Sequence, residues 1–363
     1  MVFRGIYRNS ITISFGCNQA GQPHKRQGIS RPRQPAFPIS VITVGYPPSP
    51  QLNGMDLYGS ILKTLLYFDL FHYPVSKEEL SLFLDVPCKE ADLEEGLQQL
   101  HDNQQIYLFD SFYCLHDDPA LISKRNKDNL RAEKLLKKAV RISRFLFQFP
   151  FVRAVGISGS LSKNVADEQA DIDYFIITAP NRLWIARTLL HLYKKLTFLT
   201  KRQHHYCMNY FIDQEAYKIQ EQNVYTAMEL VTLLPVCGNP VLQQFYKANN
   251  WSRWFFPNLN PKERVTHNNY NSPLKRLTEF LLSNKYSNRL DNYLLTLTDK
   301  RWSKKVVEGK TNSKGKPMAL CCGKHFARPN PALLQQTILQ SYRKRMHLMG
   351  IEDITVEAAF AKM

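Results

Sequence analysis

Apolar residues recur at helical spacing after a basic, proline-containing stretch of 54 residues. In MDLYGSILKTLLYFDLF, residues 55–71, they return every three or four positions, which predicts an amphipathic helix. Ser76 and Glu79 have capping-box spacing and predict the start of a second, short helix. A third helix is predicted over residues 89–100, and QIYLFDSFYCLH predicts two short strands around Asp110. Residues 55–118 are therefore expected to form a small module of three helices and a hairpin.

This order of elements is typical of a winged helix-turn-helix, which often binds DNA through its third helix. Here that helix carries four acidic residues against Lys89 alone: Glu90, Asp92, Glu94 and Glu95. DNA phosphates would repel such a surface. The charge argues against DNA binding, and we expect a packing or protein-contact role.

A long basic helix is predicted next, over residues 119–149, as a linker. Its cationic residues are Arg125, Lys127, Arg131, Lys134, Lys137, Lys138, Arg141 and Arg144. Two interpretations stay open: a solvated helix face, or a surface that contacts phosphates.

The pattern then changes to that of buried strands. FVRAVGIS (151–158) predicts one strand, and Gly159 and Ser160 predict a turn into a short helix. A second strand is predicted from Asp171 to Ile177. Asp171 and Asp173 would share one face of that strand, about 7 Å apart. Two carboxylates so close repel each other unless a cation lies between them, and Mg²⁺ suits oxygen ligands of this kind. Gly159 and Ser160 would let backbone N–H groups hold phosphate oxygens.

The segment SGSLSKNVADEQADIDYFII, residues 158–177, resembles the nucleotidyltransferase superfamily of polymerase beta, the minimal nucleotidyltransferases and the aminoglycoside nucleotidyltransferases. Gly159, Ser160, Asp171 and Asp173 match its signature of Gly-Ser followed by Asp-x-Asp. Lys163 keeps the positive charge of the usual arginine, and Asn164 suits a left-handed turn where glycine is usual. The resemblance implies a mixed sheet flanked by helices over residues 150–260, two Mg²⁺ ions and a nucleoside triphosphate.

The family has a third carboxylate on a later strand, expected here in HYCMNYFID, residues 205–213. Asp213 is the predicted catalytic carboxylate and Asn209 a predicted metal ligand. Glu229, on a following helix, is either a third candidate or a partly exposed helix residue. Arg182 and Arg187 are predicted triphosphate contacts, because arginine is a common fork for phosphate.

The rest of the chain is predicted to pack around this core. WSRWFFPN, residues 251–258, is interpreted as a buried aromatic plug or, less favoured, a base-stacking surface. Residues 261–363 are predicted to be helices around a basic loop, which either attracts RNA or is simply solvated. The fold class is thus α+β: a nucleotidyltransferase core, an N-terminal winged-helix-like module and a C-terminal helical region.

The composition indicates the kind of partner and the cellular compartment to expect. The 363 residues carry a net charge of +17, which suggests a polyanionic partner. The seven cysteines are odd in number and form no C-x-x-C pair, so a reducing, cytoplasmic location is expected. No apolar run approaches the roughly 20 residues that span a bilayer, so no membrane partner is expected.

Residues 1–54 have six basic residues, seven prolines and no acid. They are interpreted as a disordered tail, a transit-like arm or, the favoured hypothesis, a translated upstream region ahead of a true start at Met55.

Two functions follow as expectations. One is a Mg²⁺-dependent nucleotidyltransferase that moves a nucleoside monophosphate onto a hydroxyl of a small molecule, protein or RNA. The alternative is a catalytically degraded core that binds nucleotide or RNA without chemistry. They differ on whether a carboxylate of Asp213 or Glu229 reaches Asp171 and Asp173.

Overall fold

The computed structural model describes residues 54–200, 203–259, 272–310, 320–329 and 331–351, all within one compact unit, Asn53–Met363. Within these ranges the chain is α+β and forms two sheets, as expected. The interpretations of residues 1–53 lie outside these ranges. Among the described residues, no helix combines the length and the apolar character that crossing a membrane requires.

The first part of the described chain contains the expected helices and hairpin. Its elements are α1 (Gly54–Asp69), β1 (Val75–Ser76), α2 (Lys77–Phe83), α3 (Glu90–Asp102), β2 (Tyr107–Phe109) and β3 (Phe112–Cys114). The strands form an antiparallel sheet in the order β1-β3-β2. The capping box is confirmed: Ser76 Oγ accepts from Glu79 N–H, and the Glu79 carboxylate accepts from Ser76 N–H.

A buried ion pair fastens this part to the helix that follows, α4 (Ala120–Leu146). Arg125 donates to Glu79 Oε1 at 2.6 Å, and both side chains are almost fully buried. The Tyr73 hydroxyl donates to the same oxygen at 2.8 Å, and the Arg125 guanidinium stacks on the Tyr73 ring at 4.1 Å. These contacts thus tie the first part of the described chain to α4.

A six-stranded mixed sheet forms the centre of the chain, in the order β7-β4-β5-β6-β9-β8. Strands β5 and β6 are parallel, and the other neighbours are antiparallel. The elements from β4 onward are β4 (Val152–Ser158), α5 (Gly159–Ser162), β5 (Asp173–Thr178), α6 (Leu183–Thr197), β6 (Cys207–Asp213), α7 (Val224–Thr232), β7 (Leu234–Cys237) and α8 (Asn239–Ala248).

The main core lies between this sheet and helices α4 and α6. Apolar side chains of β4 and β5 alternate in direction, so Ile157, Tyr174 and Ile176 meet Leu146 of α4 and Trp184 of α6. The opposite face is also covered, because Phe175 packs on Phe245 of α8 with ring centroids 4.9 Å apart. Burial on both faces explains why β5 is a continuous apolar run.

The C-terminal region corrects one prediction. It contains α9 (Pro273–Leu281), α10 (Lys285–Val307), β8 (Leu320–Gly323), β9 (Phe326–Pro329) and α11 (Pro331–Leu348). The expectation of helices around a basic loop is wrong for residues 320–329, which form a hairpin that extends the central sheet through β9. Helix α11 returns to α1, where Tyr342 packs against Tyr67 at 5.6 Å.

The aromatic segment at residues 251–258 is largely buried, as the plug interpretation expects. Trp251, Phe255 and Phe256 are buried, and Phe256 packs edge-on against Phe83 of α2 at 5.7 Å. Only Trp254 of this group exposes a large part of its ring.

Candidate functional site

The turn at Gly159 and the carboxylate of Asp173 are in direct contact. Strand β4 ends at Ser158, which lies opposite Asp173, the first residue of β5. Gly159 has φ +71°, a left-handed conformation, and a Cβ added there would lie 2.7 Å from Asp173 Oδ2. The space that a side chain would fill is therefore occupied by the carboxylate, and only glycine fits both the backbone and the contact.

Asp171 lies beside Asp173 but not as the sequence predicted. Strand β5 begins at Asp173, so Asp171 precedes the strand and does not share its face by strand alternation. It is held from the next connection, because Asp171 Oδ1 lies 3.3 Å from His204 Nδ1 and Ile172 N–H donates to the His204 carbonyl at 3.2 Å. The Asp171 side chain is 26% exposed, and Asp173 is half-buried. Both carboxylates thus remain partly open to solvent, at the end of the sheet where β5 begins.

Lys163 supports the turn from the other side. Its ammonium group donates to the Gly159 carbonyl at 3.2 Å and to Glu229 Oε1 at 2.6 Å. Ser162 Oγ also donates to the Gly159 carbonyl, at 2.8 Å. The predicted phosphate contact of Lys163 is therefore replaced in this structure by an ion pair that ties the turn to α7. Ser160, by contrast, is exposed.

Glu229 is the candidate third carboxylate that the structure brings toward the turn. Burial raises the pKa of Tyr225 above its usual range, and the negative charges of Glu229 and Asp173 raise it further. The charges of both carboxylates therefore act on the Tyr225 hydroxyl. The sequence offers Glu229 as one of two interpretations, a third carboxylate or a helix residue. Nothing in the neighbouring sequence predicts its ion pair with Lys163, 66 residues earlier.

Asp213, the predicted catalytic carboxylate, does not lie beside Asp171 and Asp173. In the parallel ladder Asp173 lies opposite Cys207, whereas Asp213 lies opposite Thr178 at the far end of β5. Five residues of strand separate the two levels, about 16 Å. Asp213 is fully buried and binds locally: it accepts from the N–H groups of Asn181 and Glu215, and Oδ2 lies 2.8 Å from His325 Nδ1. The contact with His325 joins the end of β6 to the turn between β8 and β9.

Two predicted arginines also lie away from the carboxylates. Arg182 follows the far end of β5 and donates to the Asn181 carbonyl at 2.7 Å. Arg187 packs against Trp302 at 4.6 Å and Trp184 at 5.5 Å, and burial lowers its pKa to about 10. Neither is positioned to contact a triphosphate at Gly159. Asn209, the predicted metal ligand, lies at a register shift in β6. Its side chain is not among those that the structure describes.

Asn164 ends the turn in the predicted left-handed conformation, with φ +60°. Its side chain is 2% exposed, yet neither amide atom has a hydrogen-bond partner among the described residues. Buried polar groups are nearly always paired, and an orphaned amide is costly. The turn therefore keeps an unused hydrogen-bonding group beside its strained backbone.

The two aspartates offer hard oxygen ligands of the kind that Mg²⁺ prefers. No cluster of three or more His, Cys, Asp or Glu side chains suited to a metal ion occurs in the described ranges. A cation held by these two carboxylates would therefore need its other ligands from water or from a bound molecule. No family model matches the chain, and neither a curated protein nor a solved structure does.

Proposed function

We propose that the protein is a nucleotidyltransferase that requires Mg²⁺. In the reaction, a hydroxyl oxygen of the acceptor bonds to the α-phosphorus of a nucleoside triphosphate. The bond to the β-phosphate oxygen breaks, pyrophosphate leaves, and the hydroxyl proton passes to solvent or a base. The observation that carries the proposal is the contact of the Asp173 carboxylate with the left-handed Gly159 turn, with Asp171 two residues earlier.

Asp171 and Asp173 would hold the metal, and two ions are proposed. Bound Mg²⁺ supplies charge neutralisation for the triphosphate and the leaving group. The protein's own contribution is position. Gly159 lets the backbone approach a phosphate closely, the exposed Ser160 hydroxyl can donate to a phosphate oxygen, and Lys163 holds the Gly159 carbonyl in place.

We assign the finer fold in the same proposal. The six-stranded sheet with α4 and α6 would be the nucleotidyltransferase core, and residues 54–118 a winged-helix-like module that serves for packing or protein contact. The buried Arg125–Glu79 pair and the exposed acidic side chains of α3 support this role for the module. An acidic α3 argues against DNA binding.

The competing function is a degraded core that binds nucleotide or RNA without transfer. The burial of Asp213 at the far end of β5 favours it, because the expected third carboxylate is engaged in structure. Glu229 favours the enzyme, since its ion pair with Lys163 ties it to the Gly159 turn.

The test compares Asp173→Asn with Asp117→Asn, the same change at an exposed position of the β3–α4 connection. Thermal unfolding is followed with and without Mg²⁺ and each of ATP, CTP, GTP and UTP. A ligand present at 100 times its Kd stabilises by about 2.7 kcal/mol. We expect this stabilisation in the wild type and in Asp117→Asn, and its loss in Asp173→Asn. Without ligand, Asp173→Asn should be as stable as the wild type or slightly more, because repulsion with Asp171 falls.

Labelled nucleotides incubated with a cell extract then separate the two functions. Labelled product that requires Asp173 supports transfer, and binding without product supports the degraded core. If no nucleotide stabilises the wild type at saturating Mg²⁺, the nucleotidyltransferase proposal is overturned.

A further inference from the structure

Helix α4 presents a line of exposed cationic side chains that the proposed chemistry does not use. Lys127, Lys134 and Arg141 are spaced seven residues apart, and positions seven apart lie on one face of an α-helix. Lys137 lies on the same exposed side, and Phe145 follows Arg141 by one turn. We call these five residues the α4 strip.

Few acidic side chains of α4 neutralise the charge of the strip. The acidic residues of the helix are Asp128, which is buried and pairs with Lys124 and Arg131, and the exposed Glu133. No residue in the described ranges forms an ion pair with Lys127, Lys134, Lys137 or Arg141. Unpaired cations in a row along a rigid helix form a surface for a polyanion.

The strip runs beside the candidate site. Arg131 pairs with Glu168 at 2.8 Å, and Ala166 N–H donates to the Asp128 carbonyl at 3.3 Å, which fixes the connection before Asp171 against α4. Lys138, one residue beyond the strip's Lys137, contacts His205. His204, its neighbour, lies against Asp171. A chain bound along the strip would therefore pass close to the aspartates.

The far end of the strip is aromatic. Phe145 is 41% exposed and packs on Tyr193 and Phe149, with ring centroids 4.8 Å and 5.5 Å away. A partly exposed ring fixed by two others gives a rigid stacking surface. Cationic grooves that end in such rings are the means by which proteins bind single-stranded nucleic acid.

We propose that the α4 strip binds single-stranded nucleic acid, with phosphates along Lys127, Lys134, Lys137 and Arg141 and a base stacked on Phe145. The strip extends from Lys127 to Phe145, about 27 Å along the helix, which accommodates several nucleotides. Because the strip runs beside Asp171, the bound nucleic acid would also be the acceptor of the transfer, and this second step rests on the proposed function. The binding itself does not.

The experiment measures binding of fluorescein-labelled single strands of about 15 nucleotides, one RNA and one DNA, to the full chain by fluorescence anisotropy at several salt concentrations. The test variant is Lys134→Glu with Arg141→Glu. The matched control, Lys285→Glu with Arg289→Glu, makes the same charge change four residues apart on the exposed surface of α10. Binding of ATP, CTP, GTP and UTP in the presence of Mg²⁺ is measured in parallel by calorimetry.

We expect the wild type and the control to bind the single strand with a strong salt dependence. In the strip variant, log K against log[salt] should lose about 0.7 of slope for each phosphate contact removed, so about 1.4 for two contacts. Phe145→Ala should weaken binding about fivefold or more and leave the slope unchanged. A preference for RNA or for DNA identifies the source of the strand.

Three results would overturn the inference: equal weakening in both charge variants, equal affinity for a duplex of the same length, or strip-dependent binding to anionic vesicles with none to single strands. If the strand binds but none of ATP, CTP, GTP and UTP binds with Mg²⁺, the proposed function fails while the strip stands. If nucleotide binds and the strand does not, the strip fails alone.

Discussion

Replacing Gly159 by alanine tests the central contact of the candidate site. The methyl group would lie 2.7 Å from Asp173 Oδ2, in a residue whose φ is +71°. A left-handed L-residue costs about 1–2 kcal/mol. Moving the carboxylate off its rotamer adds about 0.5–1.5 kcal/mol. We therefore expect Gly159→Ala to lower the free energy of unfolding by about 1.5–3.5 kcal/mol, the sum of these two costs.

Gly309 offers a matched control, because it has φ +60° and nothing within 4 Å of an added Cβ. Gly309→Ala carries the backbone cost alone, and the unfolded-state effect of Gly→Ala is common to both variants. Urea denaturation should show Gly159→Ala to be the less stable by about 0.5–1.5 kcal/mol. Calorimetry at a temperature where both are folded should show Mg²⁺ and ATP binding lost in Gly159→Ala only. A loss of stability no greater than that of Gly309→Ala, with nucleotide binding intact, would refute the contact and its role.

Two further predictions concern buried charges. Arg125→Met should lower the free energy of unfolding by about 3–5 kcal/mol in urea denaturation, because it leaves the Glu79 carboxylate buried without its cationic partner. The double variant Arg125→Met with Glu79→Leu should be more stable than Arg125→Met, and equal stability of the two would show that the unpaired Glu79 does not destabilise the protein. Burial raises the pKa of Asp291 from 3.8 to about 6, so the folded protein holds a proton between these values that the unfolded chain has lost. Stability should therefore fall as pH rises through that window, and Asp291→Asn should remove this part of the slope while keeping the acceptor for Ile185 N–H; denaturation curves with the same slope in both proteins would contradict the assignment.

Features encoded by neighbours in the chain were predictable. The capping box at Ser76 and Glu79, the strands around Gly159 and the left-handed Asn164 follow from spacing and backbone preference, which act over a few residues. The acidic surface of α3 and the long basic α4 were predicted for the same reason. The predicted strand containing Asp171 was too long by two residues, because the ladder with β4 begins only at Asp173.

What the tertiary structure decided depends on partners far apart in sequence. Asp213 has the residue type and strand parity of a third carboxylate, but the parallel register of β5 and β6 places it at the wrong end of the sheet. Arg187 has the charge for phosphate binding, yet aromatic rings enclose it. The Lys163–Glu229 pair and the β8–β9 hairpin join segments that only folding brings together. Sequence by itself determined which residues could carry charge and where the chain could turn, because those are local properties. Strand register and burial decided which of those charges meet, because they depend on the packing of the whole chain.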